Sequence, residues 1–198
     1  MHLQSLTFRS TLPPARLDKA RRGLAVELAQ VSGLSEALFV TDTGTGEIGV
    51  ILAWRDAGAL RAFETGPSYV PVSSALGAME APEVELLDVS NFLEGPEGAL
   101  RGNAIGSVRF RSGHTVEKLQ ELSAATMGDY AEMPGLCRVY RVAEARTGRV
   151  GGVYVWAGEE YREANLGSAT VAKIPEAYAV EGEVEIRRLR IDSAMSDY

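Results

Sequence analysis

The chain predicts an α+β fold: two tandem ferredoxin-like (βαββαβ) repeats forming an intrachain barrel. Three observations predict it. First, Thr45-Gly46-Glu47-Ile48-Gly49 returns 102 residues later as Thr147-Gly148-Arg149-Val150-Gly151. From Leu6/Val108 to Trp54/Trp156 this offset runs 49 positions without a gap and gives twelve identities, where average composition gives about three or four by chance. Second, Leu17, Ala20, Leu24, Leu28 and Val31 fall at helical spacing, and the offset places Leu119, Leu122, Thr126, Tyr130 and Met133 at the same positions. Each set reads as the buried stripe of an amphipathic helix. Third, both alternating sets of the third strand are apolar, Ile48, Val50, Leu52 and Trp54 against Gly49, Ile51 and Ala53. A strand apolar on both faces is buried on both faces, so each sheet needs a cover, and the other copy's sheet supplies one.

The elements follow in order. A strand is expected over 2–9 and again over 104–111. The long helix comes next. Pro13-Pro14 suits the start of the first, Thr115 is an N-cap for the second, and Gly33 and Gly135 are read as C′ stops. Strands over 34–41 and 47–55 (136–143 and 149–157) flank a hairpin turn, Thr43-Gly44-Thr45-Gly46 or Ala145-Arg146-Thr147-Gly148. A helical stretch over 56–79 (158–179) is broken by Gly66-Pro67 and Pro71, or by Gly167 and Pro175. The last strand lies at 83–90 (183–191), where the offset has fallen to 100. The organisation is repeat 1 over 1–90, a turn-rich linker over 91–103, repeat 2 over 104–192 and a frayed tail over 193–198.

Composition narrows the function. The chain has 198 residues, a net charge of −7 and 45% hydrophobic residues. An acidic chain lacks the electrostatic footprint for nucleic acid or an anionic membrane. The run Arg187, Arg188, Arg190 is diluted by Glu183 and Glu185 and reads as a solvated strand face. The single cysteine, Cys137, cannot form an internal disulfide and suits a reducing cytosol. Met1–Ser5 shows no basic stretch followed by an apolar run, so no signal peptide is expected and the chain is assigned to the cytoplasm. His2 and His114 are far apart, and no HxxxH, CxxC or Asp-rich loop exists, so no metal is expected.

Met133-Pro134-Gly135-Leu136, followed by Thr147-Gly148-Arg149-Val150-Gly151-Gly152-Val153-Tyr154-Val155-Trp156, resembles the YdhR-like monooxygenases. Those belong to the dimeric α+β barrel superfamily, with the antibiotic-biosynthesis monooxygenases. The likeness covers about 104–191 and is fainter over 2–90. It implies a barrel usually made by two chains, here made by one. It also implies an oxygenase without metal or flavin, so no cofactor. The substrate, a phenolate or carbanion, would supply the electrons, and the protein a dry pocket and a few orienting hydrogen bonds.

The second copy is the richer in pocket-type residues. His114, Tyr130, Arg138, Tyr140, Tyr154, Trp156 and Asn165 stand where the first has Leu12, Leu28, Glu36, Leu38, Leu52, Trp54 and Phe63. His114 and Tyr154 are the candidate catalytic residues, and Tyr130, Arg138, Tyr140, Trp156 and Asn165 the candidate substrate contacts. Each has a bland counterpart: the aromatics as core, His114 as a solvated residue before the helix, Arg9 and Arg111 as a shared ion pair. Haem degradation, also found in the superfamily, would need His114 as axial ligand. The expected function is a cofactor-independent monooxygenase-like protein acting on a small aromatic or electron-rich metabolite. The alternative is a non-catalytic small-molecule-binding or assembly module. The expected partner is a small molecule, with neither nucleic acid nor membrane, and the chain a monomeric pseudo-dimer or a homodimer.

Overall fold

A computed structural model describes residues 1–66, 71–98 and 102–197. The expected break at Pro67, linker residues 99–101 and the last tail residue lie outside them. The first repeat contributes β1 His2–Phe8, α1 Pro14–Leu28, β2 Leu34–Asp42, β3 Ile48–Trp54, α2 Ala57–Thr65, α3 Val72–Ala75 and β4 Glu83–Glu94. The second contributes β5 Ala104–Ser112, α4 Val116–Ala131, β6 Leu136–Glu144, β7 Arg149–Trp156, the short helices α5 Glu159–Leu166, α6 Ala169–Ala172 and α7 Ile174–Ala177, and β8 Val180–Ala194. The eight strands hydrogen-bond in the order β1-β3-β2-β8-β5-β7-β6-β4 and close into a barrel. No helix among the described residues is long and apolar enough to cross a membrane.

Contacts divide the chain into two compact units, Met1–Leu87 with the residues from Ile191 on, and Asp88–Arg190. In the first, β3 is buried along its whole length and pairs with β1 (Gln4 opposite Leu52) and with β2 (Phe39 opposite Val50). The expected stripe of α1 supplies Leu24 and Leu28 to a core with Phe39, Leu52, Trp54 and Leu76. In the second, β7 pairs with β5 and β6, and Arg141 stands opposite Gly152. Thr115 caps α4 as expected, its hydroxyl accepting from the Lys118 amide.

Three expectations need correction. Strand β4 runs to Glu94, into the segment read as linker, because Asn91–Glu94 pair with Arg141–Arg138 of β6. Residues 193–197 are not frayed: Ser193 and Ala194 end β8, a 3-10 turn follows at Met195–Asp197, and Asp197 accepts from the Ala194 amide. Next to them, Asp192 takes 2.6 Å hydrogen bonds from Arg21 and Thr41. Gly33 and Gly135 do not end their helices, which stop at Leu28 and Ala131. They sit in the following turns at φ +83° and +75°, where a Cβ would collide with Ala59 or with the Tyr161 ring. Arg9 pairs with Glu47 at 3.6 Å, largely exposed.

Glycine also sets strand spacing. A Cβ on Gly151 would lie 1.9 Å from the Val108 carbonyl oxygen, whereas one on Gly128 in α4 would meet nothing within 4 Å. Gly151→Ala should therefore destabilise by about 2 kcal/mol as the strands part, lowering Tm by on the order of 5 °C. Gly128→Ala should stabilise by about 0.5–1 kcal/mol. Thermal denaturation of both variants checks the pair.

Candidate active site

A cavity of about 130 Å³ opens on the helix side of the second unit's sheet. Its walls come from α4 (Val116, Leu119), β5 (Phe110) and β7 (Val150), with Arg141 from β6 and Tyr178 from the segment before β8. Arg141 is only 8% exposed. Its guanidinium donates to the Tyr154 hydroxyl at 2.9 Å and to the Thr126 hydroxyl at 2.8 Å. Thr126 in turn donates to the Leu122 carbonyl within α4. The guanidinium lies 5.1 Å from the Tyr130 ring centre and 5.8 Å from that of Tyr154, within cation–π range. Its Nε is buried without a partner, as is the Tyr178 hydroxyl on the same cavity. Among the described residues, none of the contacts to Arg141 is with a carboxylate.

Burial works against the charge of Arg141, yet the phenols of Tyr154, Tyr130 and Tyr178 hold its pKa above the ordinary value. Burial and then the nearby Tyr154 push the Tyr130 phenol well up, against an opposing pull from Arg141. The neighbourhood thus favours a neutral Tyr130 beside a charged Arg141.

The barrel brings some of the predicted residues together. Tyr130 and Tyr154 pack with ring centres 5.4 Å apart, tilted by 39°, their hydroxyls 3.5 Å apart, and Tyr154 lies over Trp156 at 6.5 Å. All three stand behind Arg141 rather than on the cavity wall. Asn165 is buried against Met133, its amide 3.4 Å from the sulfur. Arg138 and Tyr140 stand opposite Val155 and Val153, so the pleat turns them to the other face of the sheet from Tyr154 and Arg141. Tyr140 there packs on Phe92 at 5.1 Å. His114 is not on the cavity either. Its ring Nε2 lies 3.3 Å from the Ala177 carbonyl, and Ser112 donates to the Tyr178 carbonyl at 2.6 Å. These two residues at the end of β5 pin the segment that carries Tyr178. Among the described residues no three His, Cys, Asp or Glu side chains are grouped as a metal site requires.

No protein-family model matches the chain, and no curated protein matches it. Solved structures match over nearly its whole length. One described as a "putative monooxygenase" of Lactobacillus acidophilus NCFM superposes with a TM-score of 0.71 at 13% identity, over 98% of this chain and 95% of that one. Another so described, from Fusobacterium nucleatum subsp. nucleatum ATCC 25586, gives 0.72 at 10% identity, over 98% and 93%. An anthrone oxidase-like protein gives 0.61 at 17% identity, over 98% and 92%. The chain has the dimeric α+β barrel fold. At these identities the likeness is one of fold.

Within this α+β barrel the two units treat the same positions differently. The 102-residue offset extends past the tryptophans, since Ser10 donates to Leu76 as Ser112 does to Tyr178. It pairs Thr126, Tyr130, Arg141, Tyr154 and Tyr178 with Leu24, Leu28, Phe39, Leu52 and Leu76, all five of which are buried in the first unit's core. Room for Tyr154 comes from Gly152, where a Cβ would strike the phenol at 2.6 Å; the first unit has Val50 and Leu52 at the two positions. Arg141, Thr126 and Tyr178 escaped the sequence reading as functional groups. The exchange of Phe39 for Arg141 on a strand face it shares with Val139 and Ala143 was the available signal.

A Tyr whose folded pKa is raised keeps its proton when the unfolded chain loses it, so its stabilisation is intact below about pH 10 and declines above. Tyr130 should contribute a fall of about 1.4 kcal/mol per pH unit above pH 10. Chemical denaturation across pH 9–11.5 should show that fall in the wild type and a shallower one in Tyr130→Phe.

Proposed function

We propose that the second unit is a monooxygenase-type site that holds a single-ring aromatic anion against Arg141 and exposes it to O₂. The observation that supports it is a buried guanidinium, its Nε unpartnered, facing a mostly apolar cavity. Burying a charge without a counter-ion costs several kcal/mol. The two hydrogen bonds to Arg141 offset this by roughly 1.5–3 kcal/mol each, and a ligand anion would complete the set. The size fits one ring, since an apolar cavity of about 150 Å³ takes up benzene.

The chemistry follows from those groups. Arg141 stabilises the deprotonated form of a bound phenol and so lowers its pKa; the Tyr178 hydroxyl can donate to the same oxygen. The phenolate is electron-rich at its ortho and para carbons, and the apolar wall leaves those carbons dry. Reaction with O₂ forms a C–O bond at a ring C–H. Loss of water then gives a quinone, with one oxygen atom retained and the other leaving as water. All four electrons come from the substrate. Tyr154 and Thr126 are positioning residues that fix the guanidinium plane, and His114 holds the segment bearing Tyr178.

One observation favours a second reading. The cavity wall carries neither a carboxylate nor an imidazole, so no base stands ready to take the substrate's proton. A binding module for the same anion needs none.

Oxygen uptake with a panel of single-ring phenols and hydroquinones separates the readings. The oxygenase reading expects uptake with quinone formation, lost in Arg141→Met, and in Tyr154→Phe a KM raised by about tenfold, the loss of one charge-assisted hydrogen bond. Arg141-dependent binding without uptake would support the module. No Arg141-dependent binding would overturn both.

A further inference from the structure

The first unit has a cavity of its own, and its polarity is reversed. It has a volume of about 370 Å³ and lies between strands β1 and β3 and helices α2 and α3. Leu52, Phe63, Val72 and Val84 give it apolar walls, and Gln4 and Glu64 give it one polar end. Gln4 is 6% exposed. Its Nε2 donates to Glu64 Oε1 at 3.1 Å, which fixes the amide, because the flipped orientation would set a carbonyl against a carboxylate. The Gln4 carbonyl oxygen is then buried with no partner. The polar end thus presents two acceptors, that oxygen and the second oxygen of Glu64, beside the Ser73 hydroxyl and the second amide hydrogen of Gln4. A buried acceptor left unpaired is destabilising, and a ligand donor would relieve it.

The pair is particular to this unit. At the 102-residue offset the second unit has Gly106 and Leu166, so neither the amide nor the carboxylate belongs to the shared scaffold. The hydrocarbon walls belong to the first unit's core, which includes Leu52, Phe63 and Val72. A carboxylate beside an unpartnered carbonyl, at one end of an apolar chamber, favours a ligand with a cationic, hydrogen-bond-donating head and a hydrocarbon body.

We propose that this cavity is a binding site for a primary amine with an apolar body, taken up as the ammonium ion. An ammonium has three donors and no acceptor. One reaches the Gln4 carbonyl and one the free oxygen of Glu64, and the charge faces the carboxylate. The hydrocarbon part lies along Leu52, Phe63 and Val72. The site is independent of the chemistry assigned to Arg141.

Isothermal titration calorimetry of the full chain with phenethylammonium, 2-phenylethanol and benzoate tests it. The expected result is saturable binding of the ammonium, with the alcohol and benzoate at least tenfold weaker here. Gln4→Met and Glu64→Gln should each weaken the ammonium at least tenfold, and Arg141→Met should not. Circular dichroism checks the fold, and should Gln4→Met fail to fold, the surface variant Glu64→Gln decides. Absence of ammonium binding up to 10-millimolar-range concentrations, of the order at which ligands this small bind weakly, or equal binding by wild type and Glu64→Gln, overturns the proposal.

Discussion

A guanidinium buried without a carboxylate is the constraint around which the polar interior of the second unit is arranged. Every group near Arg141 answers to it. Thr126 and Tyr154 accept its N–H groups, and the Tyr130 ring presents its face to the charge. Hydrogen bonds to a charged donor are among the stronger ones, and a desolvated cation–π contact adds about 2 kcal/mol. Of its three nitrogens, Nε is the one without a partner. Replacing such a charge with a fitted hydrophobe is often neutral or stabilising, and the first unit does so with Phe39, fully buried at the matching position. The arginine is therefore not a requirement of the fold.

The same backbone thus supports two interiors. In the first unit Val50, Leu52, Leu24, Leu28 and Phe39 fill the space between helix and sheet. In the second, Gly152 gives up volume so that the Tyr154 phenol can reach Arg141, and Thr126 and Tyr130 turn polar atoms to the same point. What the copies share is backbone geometry: the hairpin glycines Gly46 and Gly148 at φ +74° and +70°, the turn glycines Gly33 and Gly135, and the buried tryptophans. What they do not share is chemistry, with a carboxylate at the polar end of one cavity and a guanidinium at that of the other.

Much of the scaffold was legible in the sequence because it rests on local, periodic signals. The helix stripe, the Thr115 cap and the twice-buried β3 all follow from spacing and residue type. The ends of β4 and β8 were not legible, since those residues are held as strand by partners distant in sequence, Asn91–Glu94 by β6. The site was legible in part. Comparison of the copies pointed to Tyr130, Tyr154 and Trp156, which cluster. It also pointed to Arg138 and Tyr140, which the strand pleat places on the other face from Arg141. Tyr178 lay where the repeat loosens in sequence, and the hydrogen bond that the Ser10 or Ser112 hydroxyl donates to the backbone carbonyl restores its match with Leu76.

The central claim is that the unpartnered Nε of Arg141 receives an anion. The most direct measurement is the ¹H–¹⁵N NMR resonance of that Nε–H, assigned by its loss in Arg141→Met, during titration with 4-nitrophenolate and with toluene. The account predicts a saturable downfield shift with the phenolate, as a charge-assisted hydrogen bond forms, and a far smaller response to toluene. A phenolate that binds while the Arg141 resonance stays unmoved would contradict it.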